Sequence, residues 1–208
     1  MKLSTSRESL LKPLQAVIGV VERRQTMPVL ANVLLHADDG VLSVTATDLE
    51  VELVARSKVD SIEAPGDITV PGRKLLDICR ALPDGANVSM SLKTDRLTIQ
   101  SGRSKFVLST LPAAEFPVVE NINAERELTI SQSDLRHLLD KTHFSMAQQD
   151  VRYYLNGLLL ETGNGKLRAV ATDGHRLALC DIAMDGADGA INQVIVPRKG
   201  VLELQRLL

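Results

Sequence analysis

The side chains able to do bond chemistry are few in this 208-residue chain. Asp48, Asp173, His175 and Cys180 are the candidates. Two carboxylates could hold a divalent cation for phosphoryl transfer. However, Asp48 stands in Ala46-Thr47-Asp48 and Asp173 in Ala171-Thr172-Asp173, so the two are copies of one position. A residue used twice at a turn is first a turn-capping residue, since Asp accepts hydrogen bonds from backbone two residues on. No Walker loop, nucleotide-binding glycine motif, His-Glu-x-x-His or nucleophile elbow is present. Cys79 falls in an apolar helical pattern and Cys180 in a strand pattern, which suits packing. Two cysteines supply neither a disulfide framework nor a four-cysteine zinc site, so a reducing cytoplasm is the default and no cofactor is implied.

The elements that carry these residues come in two copies. Val70-Pro71 recurs as Val196-Pro197, and Asn32-Val33-Leu34-Leu35 as Asn156-Gly157-Leu158-Leu159. Leu10 and Leu14 map to Leu135 and Leu139. Several anchors in one order at a near-constant offset indicate a repeated unit. In copy one, apolar spacing predicts a strand over 1–5 and a helix over 7–24 that starts at an N-cap Ser6. Strands follow over 32–36, 41–47, 49–59 and 67–70, with Leu49, Val51, Leu53 and Ala55 on one face of the third. A helix over 73–82 and strands over 87–92, 96–101 and 104–110 complete the copy. Copy two reads as a helix over 133–147, strands over 155–161, 167–172, 176–182 and 194–196, and a helix over 198–208. The expectation is an α+β fold in which each complete domain is two strand–helix–three-strand motifs. Copy two lacks the last three strands, which predicts a piece of a longer protein. The expected boundaries are 1–120 for the first domain, a polar linker over 121–127, and 128–208 for the second.

Composition narrows the function classes. The chain is 44% hydrophobic and 24% charged, as a globular protein is. No apolar run approaches a membrane span, so a membrane partner is not expected. Five aromatic residues and no tryptophan argue against stacking successive single-stranded bases. The net charge of −2 predicts neither nucleic acid nor membrane, but its distribution does not follow the average. The four helical windows hold 12 basic and 6 acidic residues; the rest holds 12 basic and 20 acidic. If the helices share one face, that face is positive and attracts phosphate without reading sequence. A single basic helix would be ordinary solvated decoration. Four across two repeats favour a nucleic-acid role.

The sequence resembles the bacterial DNA sliding clamp family, the beta subunit of DNA polymerase III, over all 208 residues. The resemblance rests on Leu10-Leu11-Lys12-Pro13-Leu14, Ser101-Gly102-Arg103-Ser104 and Leu108-Ser109-Thr110-Leu111-Pro112-Ala113. It is densest in Gln149-Asp150-Val151-Arg152-Tyr153-Tyr154-Leu155-Asn156-Gly157, Ala171-Thr172-Asp173-Gly174-His175-Arg176-Leu177 and Val196-Pro197-Arg198-Lys199-Gly200. It implies a head-to-tail homodimeric ring of three similar domains per subunit, with helices lining the hole and sheets outside. This chain would carry the first domain, most of the second and none of the third. The implied function is a non-enzymatic processivity factor that encircles duplex DNA independently of sequence. Its implied partners are the polymerase III alpha subunit, the clamp loader, other polymerases and mismatch-repair proteins.

Residue by residue, the resemblance implies DNA contact by Arg24, Arg73, Gln149, Tyr153 and Tyr154. It implies a pocket for partner peptides at Leu155, Thr172, Gly174, His175, Arg176 and Leu177. It puts Lys74, Ile78 and Leu82 near the edge that meets another subunit. Each has a plainer reading. Arg24 could balance a helix dipole, whereas Arg73 opens a helix, where a cation is unfavourable. Sequence offset matches Tyr153 and Tyr154 to Val29 and Leu30, so the fold does not demand tyrosine; the plainer reading puts one of the pair in the core. The turn could be an ordinary strand connection, and Ile78 and Leu82 could face their own sheet. A carboxylate–metal phosphoryl-transfer enzyme and a pure interaction scaffold remain the rival classes.

Overall fold

The computed structural model describes residues 1–21, 27–117, 127–184 and 191–208. It divides into two compact units, Met1–Glu120 and Asn121–Leu208.

In the first unit, β1 (Lys2–Ser6) leads into α1 (Arg7–Val17). Ser6 caps α1 by accepting the Ser9 N–H, which satisfies one of the orphan donors of the first turn. Strands β2 (Asn32–Asp38), β3 (Val41–Thr47), β4 (Glu52–Lys58), β5 (Ser61–Ala64) and β6 (Gly66–Pro71) follow. Then come α2 (Gly72–Ala81), β7 (Asn87–Lys93), β8 (Arg96–Ser101) and β9 (Ser104–Ser109). One sheet has the order β4-β3-β2-β6 and the other β5-β1-β7-β8-β9, antiparallel throughout. Helices α1 and α2 pack on each other and on the four-stranded sheet. The other sheet closes the same core, where Leu10, Leu14, Leu75 and Cys79 meet Leu35, Val44, Met90 and Ile99. The polar side of α2 then faces outward, with Arg73, Lys74, Asp77 and Arg80 exposed.

The second unit repeats half of this plan. Helix α3 (Gln132–Thr142) is capped by Ser131, which accepts the Asp134 N–H. Strands β10 (Gly157–Gly163), β11 (Lys166–Thr172), β12 (Leu177–Ala183) and β13 (Asn192–Pro197) form a sheet of order β12-β11-β10-β13, and α4 (Arg198–Leu207) follows. Helices α3 and α4 pack together over this sheet around Leu138, Leu139, Leu158 and Val201. In each unit, therefore, the two helices share one side of a sheet.

Several expectations change. The helix expected over 7–24 ends as α at Val17 and tightens into a 3-10 turn, Ile18–Val20. Arg24 lies outside the described residues. The helix expected over 133–147 ends at Thr142 and becomes the 3-10 turn His143–Ser145. The strand expected over 49–59 begins at Glu52, because Leu49 has φ +78° and belongs to a turn. Strand β5 was not anticipated. The linker expected over 121–127 lies outside the described residues except for Glu127. Segment 110–117 belongs to the first unit: Leu111 exchanges backbone hydrogen bonds with Thr69 on β6, and Phe116 is buried.

The repeat register also shifts by one residue. Val33 pairs with Val70, and Leu158 pairs with Val196, so Val33 corresponds to Leu158 rather than to Gly157. The shared Asn of 32 and 156 is an identity without structural equivalence. Leu30 then corresponds to Leu155, and both are buried, at 7% and 9% exposure. Val29 corresponds to Tyr154, and Pro28 to Tyr153.

Candidate functional site

The turn between β11 and β12 is built by two short side chains. Asp173 Oδ1 accepts the N–H groups of His175 and Arg176, each at 3.0 Å. Thr172 Oγ1 accepts the Gly174 N–H at 3.1 Å and donates to the Arg176 carbonyl at 2.7 Å. The Arg176 N–H, then the His175 N–H, hold the Asp173 carboxyl below its ordinary range. Gly174 has φ +87°, a conformation that suits glycine. The Arg176 guanidinium donates from Nε to Asp173 Oδ2 at 3.0 Å and from Nη2 to the Phe144 carbonyl at 2.7 Å. It also stands 5.9 Å from the Phe144 ring centroid, within cation–π range. Leu177 opens β12 with its side chain exposed. In the other copy Asp48 accepts from Glu50 and Val51 in the same way, at 3.1 and 2.8 Å. Each carboxylate is thus an acceptor in its own turn.

Residues 147–156 form the second wall. The Asn156 amide closes this loop on Asp150: the Asp150 N–H donates to Oδ1, and Nδ2 donates to the Asp150 carbonyl, both at 2.9 Å. The Asp150 carboxylate accepts from Arg152 Nε at 3.0 Å, Nη2 at 2.9 Å and the backbone N–H at 2.8 Å. That arginine pulls the Asp150 pKa down to about 2. The guanidinium lies over the Gly174 backbone, where a Cβ would be 3.2 Å from Nη2. The braced loop displays Tyr153 and Tyr154 at 83% and 51% exposure, so neither is core. Their rings meet edge to face, with centroids 6.0 Å apart. Gln149 is exposed on the same loop.

These two walls and the start of α4 enclose an open groove of about 370 Å³. Gln149, expected at DNA, and His175 and Arg176, expected at peptide, line it together. Thr172, Gly174 and Leu177 share the turn, and Leu155 lies buried at the end of the loop, its carbonyl accepting the Ala147 N–H at 3.0 Å. Arg73 is exposed at the start of α2 in the other unit, with Nη2 donating to the Val21 carbonyl at 3.4 Å. Of the expected subunit-contact residues, Lys74 is exposed, Ile78 half-buried and Leu82 buried in its own core. Sequence reasoning missed Phe144, Asp150, Arg152, Asn156 and Arg198. The available signal was their departure from the first copy, where Gly19 and Gly72 stand for Phe144 and Arg198. Among the described residues no helix is long and apolar enough to cross a membrane.

Comparison with known proteins fits this layout. The N-terminal domain model of the DNA polymerase III beta subunit matches residues 1–120, and its central domain model matches 129–208. The beta sliding clamp of Pseudomonas aeruginosa is 56% identical over 208 residues, which is all of this chain and 57% of the relative. That of Escherichia coli K12 is 53% identical over the same shares. The chain therefore spans little more than half the length of the curated relatives it matches. A crystal structure of the P. aeruginosa beta subunit superposes with a TM-score of 0.96 at 55% identity, covering 100% of this chain and 56% of that one. A P. aeruginosa clamp bound to griselimycin gives 0.95 at 56% identity, over the same shares. The Caulobacter crescentus beta subunit gives 0.94 at 48% identity, covering 100% and 57%. Matched by both domain models in order, this chain belongs to the DNA polymerase III beta subunit family, the bacterial sliding clamps.

Proposed function

We propose that the chain is the first domain and part of the second of a ring-shaped processivity factor that encircles duplex DNA in the bacterial cytoplasm. Residues 1–120 are the first clamp domain, 121–127 the linker, and 128–208 the second domain through its second helix. The protein is not an enzyme. Retention comes from encirclement, so each phosphate contact must be weak and exchangeable, as screened arginine and lysine contacts are. A polymerase tethered to the ring sees DNA at high effective concentration, which raises processivity.

The observation that carries this reading is the exposed tyrosine pair on a braced loop, in a chain with only five aromatic residues. Arg24, Arg73, Gln149, Tyr153 and Tyr154 contact DNA. Leu155, Thr172, Gly174, His175, Arg176 and Leu177 receive the peptide tails of the polymerase III alpha subunit, the clamp loader, other polymerases and mismatch-repair proteins. In the homodimer, Lys74 and Ile78 form the surface of the subunit contact, with Leu82 packed beneath. Replacing Arg24 and Arg73 together with Ala in the full-length protein weakens DNA retention and leaves peptide affinity unchanged. Equal loss of both would show that the surfaces are not separate.

A further inference from the structure

We infer that Phe144 is a positioning residue for the partner peptide, acting through Arg176, whose guanidinium it holds at the groove wall. This rests on the reading that the groove receives partner peptides. The repeat asks for no side chain at this place. The 3-10 turn His143–Ser145 follows α3 as Ile18–Val20 follows α1, so Phe144 stands where the first copy has Gly19. Burial does not ask for it either, since Phe144 is 50% exposed. The end of α3 fixes the ring. Thr142 Oγ1 donates to the Leu138 carbonyl at 2.6 Å, and His143 Nδ1 to the Leu139 carbonyl at 2.8 Å, so side chains as well as backbone tie the last turn. The His143 ring, held in this way, meets the Phe144 ring edge to face, with centroids 6.2 Å apart and planes at 80°.

Phe144 meets Arg176 in two ways. Its carbonyl accepts Nη2 at 2.7 Å, and its ring centroid lies 5.9 Å from the guanidinium carbon. Asp173 takes Nε at 3.0 Å. Among the described residues Nη1 has no acceptor. The guanidinium is therefore fixed on one side and keeps the two N–H donors of Nη1 for an acceptor oxygen of the peptide. The Arg176 side chain is 59% exposed, and an exposed arginine loses rotamer freedom when a ligand orders it. Ordering it beforehand removes part of that cost from binding. Any residue at position 144 would supply the carbonyl. The ring is what phenylalanine adds.

The test uses the full-length protein and a labelled peptide copied from the tail of the polymerase III alpha subunit, with binding read by anisotropy. Phe144→Leu keeps an apolar side chain and removes the π face. It should weaken the peptide about two- to fivefold, the size of one exposed cation–π contact. Phe144→Tyr should bind as the parent does. In an Arg176→Ala background, Phe144→Leu should cause no further loss. A second readout needs no peptide: a dicarbonyl reagent should modify Arg176 faster in Phe144→Leu and at the parent rate in Phe144→Tyr, with Arg152 as the internal reference in the same mass spectrum. If Phe144→Leu weakens the peptide equally with and without Arg176, the ring touches the peptide directly and the positioning role is overturned. An Arg176 modification rate indifferent to Phe144→Leu overturns it as well. If Arg176→Ala weakens the peptide and Phe144→Leu does not, the inference is wrong and the pocket stands. If Arg176→Ala binds as the parent does while Phe144→Leu still bares Arg176 to the reagent, the pocket reading fails and takes the inference with it, a pattern that failure of the inference alone does not produce.

Discussion

Thr47-Asp48-Leu49-Glu50-Val51 and Thr172-Asp173-Gly174-His175-Arg176 fold one turn from different residues. The hydroxyl and the carboxylate that build it are the same, and φ at the third position is +78° in one and +87° in the other. What hangs from the turn differs. Val51 packs against its own core, whereas Arg176 reaches out to the Phe144 carbonyl and ring. Around it, Gly19 has become Phe144, Val29 has become Tyr154, and Gly72 has become Arg198. At these described positions the first copy has small or apolar side chains. The second has the same turn backbone and carries a charged, aromatic groove beside it. One scaffold thus separates what the fold needs from what a ligand needs.

The comparison fails first if the shared core is not shared. Leu14 and Leu139 are fully buried at equivalent places in α1 and α3. Truncation to Ala should cost each unit about 2–5 kcal/mol, the range for a buried leucine that leaves a cavity. Urea unfolding followed by circular dichroism, with the two units fitted as separate transitions, measures both. A Leu139→Ala variant as stable as its parent would mean that the second copy does not use the common core.

The next effect is on binding. Arg176→Ala should weaken a polymerase tail peptide by about 1–3 kcal/mol, the scale of an interface hot spot. Val51→Ala, its counterpart, should leave that affinity alone and cost only fold stability. Isothermal titration of both variants reads the contrast. An unchanged Kd in Arg176→Ala removes the pocket assignment.

What the residues alone reveal follows the same division. Helix α2 is legible because Leu75, Leu76, Cys79 and Leu82 recur at helical spacing, with the charged Arg73, Lys74, Asp77 and Arg80 on the other positions. Ser6 is legible because a cap acts on the next turn. The end of α1 is not: Ile18 and Val21 continue the apolar period whether the backbone is α or 3-10. Leu49 and Val51 alternate as a strand does, yet a β-turn with positive φ intervenes at a residue type that rarely adopts it. The Asn32 and Asn156 match misleads because the two do unrelated work, one donating to Thr69 Oγ1 and the other closing the Asp150 loop. The Arg176–Phe144 contact joins residues 32 apart and exists only once α3 and the sheet have docked.

Gly174 and Leu49 test the turn itself, at a smaller scale. Gly174→Ala keeps the hydrogen bonds but places a Cβ at positive φ, beside the movable end of Arg152. The expected cost is about 1 kcal/mol, from the left-handed backbone. Leu49→Gly relieves the same strain, and the greater freedom of glycine in the unfolded chain offsets much of the gain, so it should change stability by less than about 1 kcal/mol. A large loss from Leu49→Gly would show that the first copy depends on that exposed leucine for packing.

The smallest effect is a pH response confined to the second copy. At the positions of Asp150 and Arg152 the first copy has Gln25 and Met27 in sequence, so it lacks the pair. Arg152 lowers the Asp150 pKa from 3.8 to about 2. A depressed carboxylate pKa means that the folded loop favours the ionised form. The contribution is therefore complete above about pH 5, where the unfolded chain is also ionised, and is lost as pH falls through about 2. The Arg152 Nε–H resonance should hold its position from neutral pH to about 4 and shift toward its free value near 2. In Asp150→Asn it should lie near the free value throughout, while the Asn156 amide bonds to the backbone of residue 150 persist. A midpoint at the ordinary aspartate value would mean that the guanidinium does not grip the carboxylate in solution. The braced display of Tyr153 and Tyr154 would then depend on Asn156 alone.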